Sequence, residues 1–255
     1  YFINFKSINI NNNLDIGKGY SLNKISKIVL KDHNNIEILI YEIYLKLWNK
    51  YFNNINYGEF FIKEGSTLLA ITKVISKPSN VFYKLTIVDG WQQYQLNKLI
   101  QKKFNKNFEI NYNHILADTY KYNSTDSLEN IVKLMKKNKD DFFKEHVKNS
   151  LFEKFSIDEI LIISSLVERE GINDQDKKII SSVIQNRLDQ KMKLQIDAST
   201  IFAITKGKFK LNRKLLYNDL KIKDSYNTYF IYGLPPGPIS YVGRKTIEIV
   251  LENYK

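Results

Sequence analysis

The most regular hydrophobic pattern of the chain lies between residues 157 and 170. Apolar residues there cover almost the whole circumference of a helix, which predicts a buried helix; they are Ile160, Leu161, Ile162, Ile163, Leu166 and Val167. Ser156 and Glu159 fit a capping box at its start, and Gly171 is suited to end it. We therefore expect this helix at the centre of a folded domain.

A second helix is predicted from Asn173 or Asp174 to about Gln190, because its apolar positions form one stripe. Those positions are Ile179, Ile180, Val183, Ile184 and Leu188. Beyond residue 190 the pattern indicates a short extended piece, a helix near residues 199–205, a loop-rich stretch and a last helix from Arg244. We assign residues 151–255 to one mainly helical domain.

One pattern occurs three times in the first hundred residues, centred on Gly19, Gly65 and Gly90. Each glycine follows an Ile by three residues and precedes an apolar residue by six, a Lys by eight and an apolar residue by nine. The pattern predicts a strand end, a glycine turn and a short amphipathic helix in each copy. Residues 1–105 are expected to form a small α+β domain from such units, although strand, glycine and helix also recur by chance.

Residues 106–150 are predicted to be a polar connector between the two domains. They include a Lys-rich helical stretch at residues 128–148, whose charges are expected to face solvent.

The composition is that of a folded globular protein. Hydrophobic residues make up 43% and aromatics 13%, with 10 Gly and 4 Pro in 255 residues, which excludes disordered and collagen-like classes. With no Cys and three scattered His, the chain offers no thiolate and no metal-ligand spacing. The net charge of +12 favours anionic partners without choosing among nucleic acid, lipid and a carboxylate-bearing polymer. No apolar run approaches the ~20 residues that a membrane span needs.

Glu168 is a candidate acid catalyst because an ionisable carboxylate on a buried helix requires an explanation. Desolvation raises the pKa of a carboxylic acid, which is what a general acid needs near neutral pH. The alternative is that Glu168 pairs with a Lys or Arg. Glu170 is a natural competitor, since it projects roughly 160° away from the Glu168 direction.

Asp197 is the candidate for a second carboxylate, because glycoside hydrolysis usually uses two. The alternative is that Asp197, or Ser199, is the N-cap of the helix that follows, which favours a mechanism with one carboxylate. Further on, residues 226–240 combine aromatics, amides and a stiff Pro-Pro-Gly-Pro turn. This segment is suited to be a rigid wall that offers sugar rings hydrogen bonds and stacking surfaces.

Five ordered motifs resemble a known family, the YceG-like endolytic murein transglycosylases. They are SSLVEREG at 164–171, SSVIQNRL at 181–188, MKLQIDAST at 192–200, YNTY at 226–229 and GLPPGPI at 233–239. The resemblance implies an α+β protein with a small LysM-like N-terminal domain at 1–105 and a mainly helical, lysozyme-like catalytic domain at 151–255. At four positions where the family has Pro, this chain has Ala117, Ala198, Ser225 and Val242.

The resemblance also implies the chemistry. Glu168 would protonate the oxygen between N-acetylmuramic acid and N-acetylglucosamine, and then as a base activate the muramic C6 hydroxyl to leave a 1,6-anhydro end. No metal or cofactor is implied. The residues implied to surround the sugar are Asn186, Gln195, Asp197, Tyr226, Asn227, Thr228, Leu234, Pro235, Pro236 and Gly237.

The implied partners are peptidoglycan glycan strands and cell-wall synthases, with no nucleic acid. The implied location is the cytoplasmic (inner) membrane, through a single N-terminal membrane helix, with the catalytic part extracytoplasmic or periplasmic. The family's membrane helix and last C-terminal segment are not found in the sequence, so we expect it to be a piece of a longer protein. The alternative function is an inactive peptidoglycan-binding or scaffold protein of the same fold.

Overall fold

A computed structural model of the protein describes residues 2–5, 7–8 and 13–252. The chain divides into two compact units. We call Tyr1–Leu85 with Lys121–Ser127 the N-unit, and Thr86–Tyr120 with Leu128–Lys255 the C-unit. Helices and short sheets occur together along the chain, which agrees with the predicted α+β class.

The N-unit is built from four helices and one antiparallel strand pair within the residues described. Along the chain its elements are α1 (Phe2–Phe5), β1 (Asn13–Ile16), α2 (Leu22–Val29), α3 (Asn35–Tyr51), β2 (Gly58–Phe61) and α4 (Leu68–Ile75). β1 and β2 pair from Asn13 opposite Phe61 to Ile16 opposite Gly58. A second pair, β3 (Tyr83–Thr86) with β4 (Thr119–Tyr122), contains two of the three points at which the chain passes from one unit to the other.

Alternation along β1 places Leu14 and Ile16 in the core of the N-unit, because successive strand residues point to opposite faces. The helices contribute one buried side each to the same core, including Ile25, Leu45 and Ile71. Within it the hydroxyl groups of Tyr41 and Thr72 lie 3.0 Å apart and are hydrogen-bonded. This bond satisfies two polar groups that the packing has removed from water.

The C-unit is mainly helical. Its elements are α5 (Gln93–Phe104), α6 (Leu128–Glu145), a 3-10 turn (Ser150–Glu153), α7 (Ile157–Glu170), α8 (Asp174–Asp189), α9 (Asp197–Thr205), a second 3-10 turn (Asp219–Lys221) and α10 (Arg244–Leu251). α7 lies against α8, α9 and α10. All its residues from 160 to 167 are buried, which confirms the predicted central helix. The predicted capping box of Ser156 and Glu159 is present, and Gly171 ends the helix.

The three repeat glycines have positive φ angles, 83° at Gly19, 73° at Gly65 and 76° at Gly90. This left-handed conformation favours glycine, and a helix follows each turn. The predicted glycine turn and helix are thus confirmed in every copy. The third copy, however, belongs to the C-unit, whereas we expected all three in one domain.

The observed units have different boundaries from the expected domains. Residues 86–120 belong to the C-unit, residues 121–127 to the N-unit, and α6 packs into the C-unit. α6 carries exposed lysines as predicted, but it also buries one apolar side that includes Ile131, Met135 and Phe142. The stretch expected as a polar connector therefore contributes to a core. Among the residues that the structure describes, no helix is both long and apolar enough to cross a membrane.

Candidate active site

The last turn of α7 carries two glutamates with different surroundings. Glu168, the predicted acid, is enclosed: its side chain is 9% exposed, and its Oε2 lies 2.7 Å from Nζ of Lys177 on α8. The hydroxyl of Thr246 on α10 donates to the same oxygen. The ion pair that we considered as the alternative for Glu168 is therefore present, and it ties α7 to two neighbouring helices.

Asp89 adds a second carboxylate, only partly removed from water, near Glu168. Burial raises the pKa of Asp89, and the neighbouring charge of Glu168 raises it further, while Lys177 opposes the shift. Gly171 makes room for the ion pair, since a Cβ added there would lie 2.5 Å from Cγ of Lys177. Lys177 thus opposes the charges of the enclosed Glu168 and the more exposed Asp89, and its stem occupies the space that a larger residue 171 would need.

Glu170 is exposed and lies beside the first turn of α9. Its Oε1 accepts a hydrogen bond from the backbone N–H of Ala198, with 3.1 Å between the two atoms. The surrounding atoms remove enough water to raise the pKa of Glu170, and the negative charge of Asp197 adds to this shift. The Ala198 N–H and the charge of Arg169 oppose it. Glu170 therefore combines access to solvent with an environment that favours the protonated form.

Asp197 is the first residue of α9, and its side chain does not cap that helix. The N-cap role considered for Asp197 or Ser199 is therefore wrong, because Ile196 is the N-cap residue, and Glu170 binds a free N–H of the first turn. The carboxylate of Asp197 accepts a hydrogen bond from the hydroxyl of Tyr229 at 2.7 Å. Burial and this bond raise the pKa of Tyr229 to about 12, so the phenol stays protonated at neutral pH.

The short piece before α9 leaves Gln195 exposed, as is Asp197. Leu194 and Ile196 are buried, whereas the two residues that alternate with them are exposed. Gln195 has a φ angle of 54°, and its N–H donates to the carbonyl of Thr228 at 3.2 Å. Two predicted sugar contacts, Gln195 and Asp197, are thus both exposed, and Asp197 lies close enough to Glu170 to affect its pKa.

Asn227 and Thr228 are buried, with 0% exposure for both. The Thr228 hydroxyl accepts from the N–H of Ile196 at 2.8 Å and is bonded to the hydroxyl of Ser199. The Asn227 side chain accepts from Thr200 and donates to two backbone carbonyls of the second 3-10 turn region. The protein itself uses their polar atoms, so these side chains hold the start of α9 and are closed to solvent.

A profile of the YceG-like family matches residues 14–255 of this chain. The chain belongs to the YceG-like family. A protein named endolytic murein transglycosylase from Bacillus subtilis is 29% identical, over 94% of this chain and 75% of that protein. A protein of the same name from Streptococcus pneumoniae is 25% identical, over 78% of this chain and 33% of its own length. A crystal structure of a YceG-like protein from Listeria monocytogenes gives a TM-score of 0.61 at 26% identity, over 95% of this chain and 90% of that chain.

The Pro-Pro-Gly-Pro turn of this YceG-like protein contacts Tyr226 at one end and lines a cavity at the other. At one end Gly237 is close to Tyr226, since an added Cβ would be 3.1 Å from the tyrosine hydroxyl. The Tyr226 ring packs on Phe202, with 4.7 Å between the ring centroids. At the other end Leu234 and Pro235 line a cavity of 510 Å³ near the start of α7, while Pro236 is exposed.

Four partners of the candidate residues were not predicted from this YceG-like sequence. Lys177 and Thr246 contact Glu168 from other helices, and Tyr229 contacts Asp197. Asn186 is exposed on α8. Its neighbour Arg187 donates a hydrogen bond to the carbonyl of Leu194. The charge of Arg187 also lowers the pKa of Tyr229, but burial raises that pKa by more. Tyr229 and Arg187 had a hint in the sequence, since they lie in the YNTY and SSVIQNRL motifs.

Proposed function

We propose that this YceG-like protein is an endolytic murein transglycosylase, an enzyme that cuts peptidoglycan glycan strands internally. The observation that carries the proposal is Glu170, an accessible carboxylate with a raised pKa beside Asp197. Family membership and the names of the relatives from Bacillus subtilis and Streptococcus pneumoniae support the same reaction. A lyase of this kind needs one group that first gives and then takes a proton.

Glu170 is the better candidate for this group than Glu168. The Oε2 atom of Glu168 is already bonded to Lys177 and Thr246, and 9% of its side chain is exposed. An acid catalyst must reach within hydrogen-bond distance of the glycosidic oxygen, which requires an open side chain. We assign Glu170 as the acid and base, and Glu168 as a positioning residue that fixes the last turn of α7.

In the proposed reaction, protonated Glu170 donates its proton to the oxygen between N-acetylmuramic acid and N-acetylglucosamine as the bond from that oxygen to muramic C1 breaks. Positive charge develops on the muramic ring, and the carboxylate of Asp197, oriented by Tyr229, stabilises it. The C6 hydroxyl then attacks C1 and gives its proton to Glu170. The product carries a 1,6-anhydro ring, no water is consumed, and Glu170 is again protonated.

The groove around this centre uses the predicted residues in two ways. We propose that Asn186, Gln195 and Tyr226, which lie at least partly at the surface, contact the sugars. Asn227 and Thr228 position the wall from behind, because their polar atoms are used inside the protein. Leu234, Pro235, Pro236 and Gly237 shape the same wall through a stiff backbone.

The remaining features of the proposal concern the units and the location. The N-unit is proposed to be LysM-like and to hold glycan, and the C-unit to be lysozyme-like. Action on the cell wall places the enzyme outside the cytoplasm, and we propose that a single N-terminal membrane helix anchors it near cell-wall synthases. No metal or cofactor is required for the proton transfers described above.

Digestion of purified sacculi tests the proposal. Mass spectrometry of the soluble products is expected to show glycan fragments that end in 1,6-anhydro-muramic acid, each lighter by one water than a hydrolytic product. Digestion in ¹⁸O-labelled water is expected to leave the new ends unlabelled. Label at those ends would mean hydrolysis by Glu170 with Asp197, and the absence of any new fragment would favour a binding protein without activity.

A further inference from the structure

The long helix α3 of the N-unit, Asn35–Tyr51, buries only a narrow side. Tyr41 and Leu45 are its buried residues, and they pack in the core of the N-unit. A helix of a globular protein normally turns its apolar stripe inward and exposes charged residues. α3 differs, because most of its apolar residues lie on the side that faces solvent.

We call this side the α3 outer face and define it by its exposed apolar residues. They are Ile36 (71% exposed), Leu39 (54%), Ile40 (44%), Ile43 (48%), Leu47 (51%), Tyr51 (66%) and, directly after the helix, Phe52 (70%). Their spacing of three and four residues puts them on one stripe. Single exposed apolar residues are normal on protein surfaces, but a continuous stripe marks a binding surface.

The fully exposed charges beside the stripe are positive. Lys46 and Lys50 are exposed at the C-terminal half of the helix. The acidic residues of α3 are turned aside: Oε2 of Glu37 lies 2.7 Å from Nδ1 of His33, and Glu42 is bonded to Asn23 and to Lys46. The sequence of the N-unit contains 12 Lys, no Arg and 7 Asp or Glu. The α3 outer face therefore joins an apolar stripe to a positive field.

Aromatic residues are concentrated at the same end of the helix. The rings of Trp48 and Phe52 stack with 4.7 Å between centroids, and Nζ of Lys50 lies 5.2 Å from the centroid of the Tyr51 ring. Aromatic rings and lysines that lie together with aliphatic side chains are typical of helices that rest in the headgroup region of a bilayer. The aliphatic residues enter the acyl boundary, and the lysines reach the phosphates.

We propose that the α3 outer face binds the surface of an anionic lipid bilayer, with α3 lying parallel to the membrane plane. The alternative occupant is a second copy of the chain. A two-fold interface must be complementary to itself, and the fully exposed charged side chains of this face are Lys46 and Lys50, of which Glu42 pairs with Lys46 alone. An anionic bilayer supplies both the apolar interior and the negative charge. The proposal does not depend on the transglycosylase activity.

Vesicle flotation with the 255-residue chain tests the proposal. Wild-type protein is expected to float with vesicles that contain phosphatidylglycerol and to float much less with pure phosphatidylcholine, and high salt should reduce the difference. The double variant Leu39→Ser/Ile43→Ser is expected to bind at least ~10-fold more weakly. The matched control is Ile179→Ser/Val183→Ser on α8, whose residues are 49% and 44% exposed, and it should bind as wild type does.

A second variant separates charge from apolar insertion. Lys46→Gln/Lys50→Gln should weaken binding to phosphatidylglycerol vesicles and leave the weak binding to phosphatidylcholine unchanged. Circular dichroism checks that each variant is folded, which we expect because the substituted residues are exposed. Absence of wild-type vesicle binding, or equal binding by Leu39→Ser/Ile43→Ser, would overturn the proposal. A dimer in analytical ultracentrifugation that this variant dissociates, without vesicle binding, would assign the face to a second copy.

Discussion

The carboxylate of Glu170 accepts a hydrogen bond from the backbone N–H of Ala198, with 3.1 Å between Oε1 and N. The bond joins the end of α7 to the start of α9, where helix N–H groups lack partners within the helix. It also places Glu170 next to Asp197, the first residue of α9. One contact thus satisfies a free N–H and brings together the two carboxylates of the candidate site.

The two glutamates of α7 are predicted to respond differently to an isosteric change. Glu170→Gln should keep the fold and lose at least ~10²-fold in kcat, because an amide cannot transfer the proton. Glu168→Gln should lose less activity but destabilise the protein by roughly 1–3 kcal/mol, because Lys177 loses its charged partner. Sacculus digestion and thermal unfolding measure the two effects. If Glu168→Gln is the folded and inactive variant, Glu168 is the acid and our assignment is wrong.

The Ala198 N–H is predicted to tune the pKa of Glu170. This donor lowers the pKa, so Ala198→Pro, which removes the N–H, should raise it further. A general acid works while it is protonated, so the alkaline fall of kcat/KM should move to higher pH. Ala198→Gly keeps the N–H and is the control, with an unchanged pH profile. An alkaline limb that stays in place in folded Ala198→Pro would contradict the role of this bond.

The hydroxyl of Tyr229 is predicted to orient Asp197 for catalysis. Tyr229→Phe removes the 2.7 Å hydrogen bond and leaves the ring, so the fold should persist while kcat/KM falls by about 10-fold. Tyr217→Phe is the control, because Tyr217 is 74% exposed and lies outside the proposed site. Steady-state rates on soluble glycan strands measure both. Equal rates for the two variants would show that Asp197 has no role in the mechanism, or that its orientation does not depend on Tyr229.

The buried hydroxyl of Thr228 is predicted to contribute to stability. Thr228→Val keeps the shape and leaves the N–H of Ile196 without its partner, which should cost about 1–3 kcal/mol in the free energy of unfolding. Ser164→Ala is the control, since the buried Ser164 hydroxyl has no partner among the residues described, and its loss should be nearly neutral. Urea unfolding measures both variants. A neutral Thr228→Val would show that the wall before α9 is held by other contacts.

Local patterns in the sequence were sufficient to predict several helices and turns. The apolar circumference of α7, its capping box and the three glycine turns were all predictable, because each depends on residues within a few positions of one another. The glycine-centred repeat did not predict to which unit its third copy belongs. Gly90 belongs to the C-unit, where its carbonyl accepts from Arg169, 79 positions along the chain.

The choice between Glu168 and Glu170 depended on contacts that are distant along the chain. A helix that is apolar on almost every side does not indicate which of its last residues will reach solvent. Lys177 and Thr246, 9 and 78 positions from Glu168, enclose it, whereas Ala198, 28 positions from Glu170, leaves that side chain accessible. The composition likewise predicts the positive charge of the chain. The exposure of the apolar stripe of α3, however, depends on tertiary packing, because Tyr41 and Leu45 are the residues of this helix that pack inward.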